Sequence, residues 1–315
     1  MRLLILAAAL HLGVALGQPW PAKPLKLVTP FPPGGSADVI ARLIGHSLAA
    51  QLGQPVVIDN RPGAGGVVGN EYAAKQPPDG YTLLLITGAY PVQAAMLKSL
   101  PFEPLADIAM ISLLTTYPFV ISVRSDSPFK TLGELIAYAR ANPGKLNYPS
   151  SGVGTVHHLS GELLNAMAGI EMVHVPFRGG ASPLTEVLGG RVDLLLEAMT
   201  LSIGQIQAGK LRALAVTSRE AWPALPDVPT VAQTVPGYEV NSFIGLGATG
   251  RTPQPIIDRL NAEVRKALAE RETHQRFVEL GGAPAASTPG EMRAFVEHEI
   301  AKWKRVIRLR KIEQQ

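Results

Sequence analysis

The sequence has 315 residues, of which 46% are hydrophobic and 17% charged, and its formal net charge is +4. This composition excludes an intrinsically disordered chain, and so slight a positive charge gives no support for nucleic-acid binding. The length suffices for one large or two medium domains. The chain has no cysteine, so it forms no disulfide, and an oxidising compartment is permitted but not required.

Residues 1–17 have the pattern of a cleavable signal peptide. Arg2 precedes the apolar run LLILAAALHLGVALG, and small residues stand just before Gln18, as at a signal cleavage site. A membrane anchor is the less favoured alternative, because His11 interrupts the run and the run is short for a membrane span. We expect cleavage near Gly17 and export of a soluble protein.

Short apolar runs alternate with helical patterns along the rest of the chain. Most of the runs are rich in valine, leucine and isoleucine on both faces, as in strands buried in a parallel sheet. The predicted strands are Lys26–Thr29, Val56–Asp59, Tyr81–Thr87, Phe119–Val123, Leu146–Tyr148, Met172–Val175, Val192–Leu196 and Leu211–Thr217. Helices are predicted after Ser36, over Leu132–Ala141, after Ser182, across PQPIIDRLNAEVRKALAE and after Thr288. Capping-box patterns open two of them, at Thr131 with Glu134 and at Thr288 with Glu291.

This alternation predicts an α/β fold with right-handed crossovers. Two extended passages, ISLLTTYPFVISVRSDSPF and YEVNSFIGLGATGRTPQP, are long enough to leave one sheet and enter another. We therefore predict two lobes, each a mainly parallel sheet flanked by helices. Lobe 1 comprises residues 18–118 and 245–315, and lobe 2 is the inserted segment 119–244. Two crossings make a hinge, and hinged lobes enclose a cleft.

Three glycine-rich junctions lie at Phe31–Asp38, Asn60–Glu71 and Asn147–Leu164. The first and third consist of a short strand, small residues and a helix start. A helix start presents unpaired N–H groups and partial positive charge, which together bind anions. One such loop is equally well an ordinary strand-to-helix turn. Two of them, one in each lobe, favour an anion held between the lobes.

Patterns typical of enzymes are absent. The glycine loops lack the Gly-Lys-Ser/Thr of a P-loop, and Val68 stands where a dinucleotide fingerprint needs glycine. No G-x-S-x-G nucleophile motif occurs. His157 and His158 are adjacent, so on a helix they point about 100° apart and cannot both bind one metal ion. We predict no catalytic residue, metal site or cofactor.

Eight stretches occur in the order KLVTPFPPGGSADVIARL, VIDNRPGAGGVVG, PPDGYTLLL, ARANPGKLNYPSSGVGTVHHLSGELL, HVPFRGGASPLTEVLGGRVDLLLE, QAGKLRALAVTS, ALPDVPTVAQ and STPGE. Together they resemble the Bug proteins, the extracytoplasmic solute receptors of tripartite tricarboxylate transporters. The resemblance covers nearly all of the mature chain. It implies a periplasmic, two-lobed Venus-flytrap receptor without cofactor. Such a receptor closes around a small organic carboxylate and delivers it to membrane transporter subunits, and we expect a monomer.

The resemblance also implies a set of ligand-binding residues, drawn from loops at strand ends in both lobes. They are Phe31, Gly34, Gly35, Ser36, Ala37, Asp38, Gly65, Gly88, Ala89, Ser150, Ser151, Gly152, Gly154, Thr155, His158, Phe177, Arg178, Glu197 and Ala198.

Several points about the ligand stay open at the level of sequence. Pro149 stands where the family usually has a small residue, and it removes one backbone donor. Asp38 either contacts the ligand or has a structural role. Arg178 would suit a second carboxylate if it faces inward, or it is an exposed loop cation. Glu197 instead would suit an amino group and hence an amino acid. Two other functions remain as alternatives, a sensing subunit for a membrane partner and an exported enzyme acting on carboxylates.

Overall fold

A computed structural model describes residues 20–177, 182–310 and 312–314; the predicted signal peptide, residues 1–17, lies outside this part of the chain. Within these ranges there are ten strands and eleven helices. The strands are β1 (Leu25–Thr29), β2 (Val56–Asn60), β3 (Thr82–Thr87), β4 (Ile108–Arg124), β5 (Asn147–Ser150), β6 (Val173–Pro176), β7 (Leu194–Ala198), β8 (Leu211–Val216), β9 (Asn241–Thr249) and β10 (Ala283–Pro284). The helices are α1 (Ser36–Leu52), α2 (Val67–Ala74), α3 (Ala89–Met96), α4 (Leu132–Ala141), α5 (Val156–Ala168), α6 (Ser182–Leu188), α7 (Met199–Gln207), α8 (Val231–Thr234), α9 (Gln254–Ala269), α10 (Arg271–Glu279) and α11 (Pro289–Arg310).

The main sheet has the strand order β10-β4-β9-β3-β1-β2. Strand β1 pairs in parallel with β2 and β3, and β9 runs antiparallel between β3 and β4. Strands β1 to β4 therefore share one direction, with β9 and β10 opposed to them. A separate parallel pair, β5 and β6, belongs to the second lobe. The predicted two-lobed α/β architecture is confirmed, but two strands that sequence did not delimit, β9 and β10, complete the first sheet.

One long strand, β4, passes from one lobe to the other. Its residues from Ile108 to Pro118 pair with β9, whereas those from Phe119 onward pair with β7 and β8. Shifts in pairing register interrupt the ladder in both halves. The predicted lobe ranges remain a proposal, which this change of partners after Pro118 supports. Strand β9 already pairs with β4 at Asn241, opposite Pro118, so we propose a return crossing near residue 241.

The helices pack against the sheets through apolar residues that recur at helical spacing. Ile40, Ile44 and Leu48 of α1 are fully buried, and α1 packs against β2 and α9. Fully burying an isoleucine or leucine contributes about 1.5–3 kcal/mol. Both predicted capping boxes form, at Thr131 with Glu134 and at Thr288 with Glu291. Within the described residues, no helix is long and apolar enough to cross a bilayer.

Strands β1, β3, β5 and β7 are each followed directly by a helix, namely α1, α3, α5 and α7. The strand-to-helix junctions of β1 and β3 lie in the first lobe, and those of β5 and β7 lie in the second. In α/β sheets, ligands bind beyond the carboxyl ends of the strands. These four junctions are therefore the structural basis of the site described below.

A glycine of α2 supports the first of these junctions. A Cβ atom on Gly69 would lie 2.8 Å from Pro30 Cα and 2.9 Å from the Arg61 carbonyl oxygen. We expect Gly69→Ala to destabilise the protein by about 1–3 kcal/mol, because backbone atoms must shift to admit the methyl group. Urea unfolding of the variant and the parent protein measures the effect.

Gly204 of α7 provides the matched control, because a Cβ atom there meets nothing within 4 Å. Gly204→Ala should leave the free energy of unfolding unchanged or raise it by about 0.5–1 kcal/mol. Equal effects from the two substitutions would contradict the packing assigned to Gly69.

Candidate ligand-binding site

A small cavity of about 60 Å³ lies between the two lobes; we call it the inner cavity. The strand-to-helix junctions of β1, β3, β5 and β7 all contribute to its wall. It is lined by Phe31, Gly35, Ser36, Ala37, Thr87, Gly88, Ala89, Tyr117, Phe119, Ser151, Thr155, Val156, His157, Glu197, Ala198, Leu201 and Ser242.

The starts of four helices converge on this cavity. Helices α1, α3 and α7 begin without a side-chain cap, so their first N–H groups are left for other partners. In α5 the Thr155 side chain caps the N–H of His158. Each helix start carries partial positive charge, equivalent to about half an elementary charge. Among the described residues that line the inner cavity there is no lysine or arginine, so these helix starts are its main source of positive charge and make it suited to an anion.

Hydroxyl groups supplement the backbone donors. Tyr117, Ser242 and Thr87 line the inner cavity, and all three are buried. Burial raises the pKa of Tyr117 to about 12, while hydrogen bonding to Ser242 acts in the opposite direction. Tyr117 therefore stays a neutral phenol at physiological pH, a form that can donate a hydrogen bond to an anion.

A chain of three polar side chains crosses the wall contributed by the second lobe. His157 Nε2 lies 2.8 Å from Glu197 Oε1, and His157 Nδ1 lies 3.0 Å from Ser151 Oγ. A carboxylate only accepts hydrogen bonds, so His157 Nε2 donates to Glu197; in the neutral tautomer that this selects, Nδ1 accepts from the Ser151 hydroxyl. Glu197 Oε1 also accepts the Ala198 N–H. The chain thus fixes both the imidazole and the Ser151 hydroxyl.

The loop between β5 and α5 is held by its own hydrogen bonds. The Thr155 hydroxyl donates to the Gly152 carbonyl oxygen at 2.7 Å, and Ser150 Oγ donates to the same oxygen at 2.9 Å. Gly154, whose φ of 72° favours glycine, donates its N–H to His158 Nδ1. Because these bonds close the loop on itself, the start of α5 is presented to the cavity in one conformation.

A pair of histidines lies beneath this loop. The rings of His158 and His174 stack with their centroids 4.1 Å apart, and His174 Nε2 lies 2.6 Å from Ser150 Oγ. Burial and, to a lesser extent, the neighbouring His158 lower the pKa of His174 to about 4. Burial also lowers the pKa of His158, against an opposing effect of Glu162. Both rings are therefore neutral supports of the loop at neutral pH.

The loop between β1 and α1 is held by Asp38. Its carboxylate is buried and accepts hydrogen bonds from the Gly34 N–H at 3.1 Å. It also accepts from the Arg42 guanidinium and the Asn60 amide, each at 3.0 Å. Although burial raises the pKa of Asp38, the hydrogen bonds from Arg42, Asn60 and Gly34 outweigh it and leave the pKa below its usual value. Asp38 is thus a structural carboxylate of the loop.

A second and larger cavity of about 760 Å³ adjoins the first; we call it the outer groove. One wall is formed by residues 62–67 with α3, and the other by residues 151–154 with Phe177. Phe31 and Ser151 line both the inner cavity and the outer groove. The two spaces therefore meet at these two side chains, one from each lobe.

Most of the residues predicted to bind a ligand lie at one of these two spaces. Those lining the inner cavity are Phe31, Gly35, Ser36, Ala37, Gly88, Ala89, Ser151, Thr155, Glu197 and Ala198. Those lining the outer groove are Phe31, Gly65, Ser151, Gly152, Gly154 and Phe177. Arg178 lies outside the described residues.

Four predicted residues line neither space, and their direct contact with a ligand stays a prediction. They are Gly34, Asp38, Ser150 and His158. Asp38 holds the first loop, where it accepts the N–H of Gly34. Ser150 and His158 hold the loop between β5 and α5. Their side chains are occupied by loop contacts, so they act on the site through its backbone.

Sequence reasoning missed other lining residues. Tyr117, Phe119 and Ser242 stand where β4 and β9 cross between the lobes, and no local motif marks them. Of the adjacent histidines, His157 rather than His158 faces the cavity, a difference of about 100° around the helix. The apolar groove residues Met96, Leu97 and Val153 also carried no signal. Among the described residues, no group of three metal-binding side chains is arranged to hold an ion.

Comparison with known proteins gives consistent matches. The family model described as "Tripartite tricarboxylate transporter family receptor" matches residues 40–312. Among solved structures, Rpa4515 of R. palustris with adipate is 36% identical, with a TM-score of 0.90 over 93% of this chain and 99% of that one. Periplasmic binding protein BugD is 32% identical, with a TM-score of 0.89 over 94% and 100%. MatC from Rhodopseudomonas palustris with bound malate is 32% identical, with a TM-score of 0.86 over 91% and 100%.

The stacked histidines make stability depend on pH. His174 has a lowered pKa of about 4 in the folded state, against about 6.5 for an unperturbed histidine. The unfolded chain therefore binds more protons between these values, and the free energy of unfolding falls as the pH drops from about 6.5 to about 4. Urea unfolding at several pH values measures this loss, which should be smaller in His174→Gln. A His174 ring that titrates near 6.5 by NMR would contradict the assignment.

Proposed function

The chain belongs to the tripartite tricarboxylate transporter receptor family, and from this membership we propose that it is a periplasmic receptor for a small organic carboxylate. It captures the mono- or dicarboxylate in the inner cavity between its lobes and delivers it to membrane transporter subunits. It is exported after cleavage near Gly17, acts as a monomer and needs no cofactor.

The convergence of four helix starts on one small cavity is the observation that carries this proposal. A carboxylate there accepts charge-assisted hydrogen bonds from backbone N–H groups and from hydroxyls such as that of Tyr117. Each such bond contributes roughly 1.5–3 kcal/mol. Before ordering costs are subtracted, three to five good contacts of this kind sum to about 8 kcal/mol, the free energy that corresponds to micromolar affinity. Two similar proteins, which hold adipate and malate, support the choice of a carboxylate.

The hydrogen bonds of Glu197 bear on the choice between a carboxylate and an amino acid as the ligand. Glu197 Oε1 already accepts hydrogen bonds from His157 and from the Ala198 N–H, so Glu197 has a structural reason to lie in the wall without an ammonium partner. This favours a carboxylate over an amino acid. A contact between Arg178 and a second carboxylate stays a proposal of its own.

Binding is tested by a thermal-shift screen across organic acids, followed by calorimetry, because a ligand selective for the native state raises its melting temperature. Thr155→Val removes the hydroxyl that donates to the Gly152 carbonyl oxygen and caps the His158 N–H. We expect it to weaken carboxylate binding at least about tenfold, since the loop loses its fixed conformation. Thr155→Ser keeps the hydroxyl and should bind like the parent protein. Equal affinities for all three proteins would count against this site.

Transport is distinguished from sensing by the behaviour of cells. A deletion strain that loses uptake of the identified acid supports delivery to a transporter. Normal uptake with loss of gene induction supports a sensing subunit instead.

The polar chain of Ser151, His157 and Glu197 contains the side-chain types of a serine-hydrolase triad, so an esterase is the alternative function to be tested. In this reading Ser151 is the nucleophile, His157 Nδ1 takes its proton and Glu197 orients the imidazole, as in serine hydrolases. Hydrolysis of 4-nitrophenyl esters by the purified protein, lost in Ser151→Ala, would establish it. We expect no turnover above the uncatalysed rate, because the proposed receptor uses the chain only to fix its cavity wall.

A further inference from the structure

We propose that the natural ligand is a monocarboxylate with an apolar chain or ring, rather than a di- or tricarboxylate. This inference rests on the proposed function and makes it more specific. The carboxylate group lies in the inner cavity, and the apolar remainder extends past Phe31 and Ser151 into the outer groove.

The size of the inner cavity requires such an extension. Its volume of about 60 Å³ is far below the roughly 300–1,000 Å³ that is usual for small-molecule sites. A ligand of ordinary size therefore does not fit in the inner cavity alone. Phe31 and Ser151 also line the outer groove, so the two spaces meet there and the rest of a ligand anchored at the helix starts can extend past these two residues.

The outer groove is large enough to receive a ligand chain. Its volume of about 760 Å³ falls within the range of roughly 300–1,000 Å³ that is usual for small-molecule sites. Its side chains are mainly apolar. The larger ones are Phe31, Pro62, Met96, Leu97, Val153 and Phe177.

The few polar side chains of the groove already have partners. Gln93 donates from Nε2 to the Gly65 carbonyl oxygen at 2.6 Å and accepts from Asn70 Nδ2 at 2.9 Å. The Ser151 hydroxyl is held by His157. Both groups thus stabilise the wall itself and are poorly available to a ligand.

Charge also argues against a second carboxylate. Among the described residues that line the groove, none is a lysine, arginine, histidine, aspartate or glutamate. A carboxylate placed there would lose hydration without gaining a cationic partner, which is unfavourable. An alkyl chain or an aromatic ring would instead remove apolar surface from water, which is favourable.

Calorimetry with two matched series of acids tests the inference. The first series is the straight-chain monocarboxylates from acetate to octanoate, and the second is the dicarboxylates of the same chain lengths. We expect the affinity for monocarboxylates to rise roughly threefold to fourfold for each methylene that becomes buried. At each length we expect the dicarboxylate to bind at least about tenfold more weakly.

The outcomes separate this inference from the proposed function. If dicarboxylates bind as tightly as monocarboxylates of equal length, or more tightly, the inference is overturned while the receptor proposal stands. That result would also favour a contact with Arg178, and loss of dicarboxylate binding in Arg178→Ala would identify it. A monocarboxylate series whose affinity does not depend on chain length overturns the inference too. If neither series binds, the proposed function itself fails.

A substitution in the outer groove tests whether the apolar chain of the ligand lies there. Val153 is 41% exposed in the groove wall, and Val278 is 45% exposed on α10, outside the groove. We expect Val153→Lys to shift the preference toward dicarboxylates by at least about tenfold, because it supplies the missing cation. Val278→Lys should leave the preference unchanged. Equal effects from the two lysines would place the chain of the ligand elsewhere and overturn the inference.

Discussion

The property on which the site depends is that peptide dipoles from both lobes point at one small, largely buried space. Unpaired N–H groups at a helix start require hydrogen-bond partners. In the inner cavity the protein itself supplies few such partners. An anion there would satisfy several of these groups at once, from both lobes. Because the anion is held by backbone N–H groups rather than by lysine or arginine side chains, little side-chain entropy is lost on binding.

The topology of the fold brings the four helix starts together. Parallel strands end at the same edge of a sheet, so β1 and β3 deliver their helices to the same side of the first lobe. In the second lobe, the junctions after β5 and β7 both reach the inner cavity, which Ser151 and Ala198 line. Strand β4 is hydrogen-bonded into both lobes. It therefore holds the strand-to-helix junctions of one lobe opposite those of the other. The supporting groups, Asp38 in one loop and His158 in the other, keep each helix start in position.

Sequence predicted what depends on local chemistry. The glycine-rich loops, the helix starts and the two capping boxes follow from residues close to one another in the chain, and the structure has the capping boxes as expected. Sequence did not distinguish His157 from His158, because the direction of a side chain around a helix depends on where the cleft lies. Tyr117 and Ser242 meet only through the pairing of β4 with β9, so their place in the wall is a property of the tertiary fold.

The continuity of β4 limits how the two lobes can move relative to each other. Backbone hydrogen bonds flank this strand on both sides of the passage between the lobes, so no slack linker exists along it. A relative motion of the lobes that keeps these hydrogen bonds must twist or bend the ladder itself. Tyr117 and Phe119, which line the inner cavity, lie where β4 changes its pairing partners, so such a twist would reshape the wall of the cavity directly.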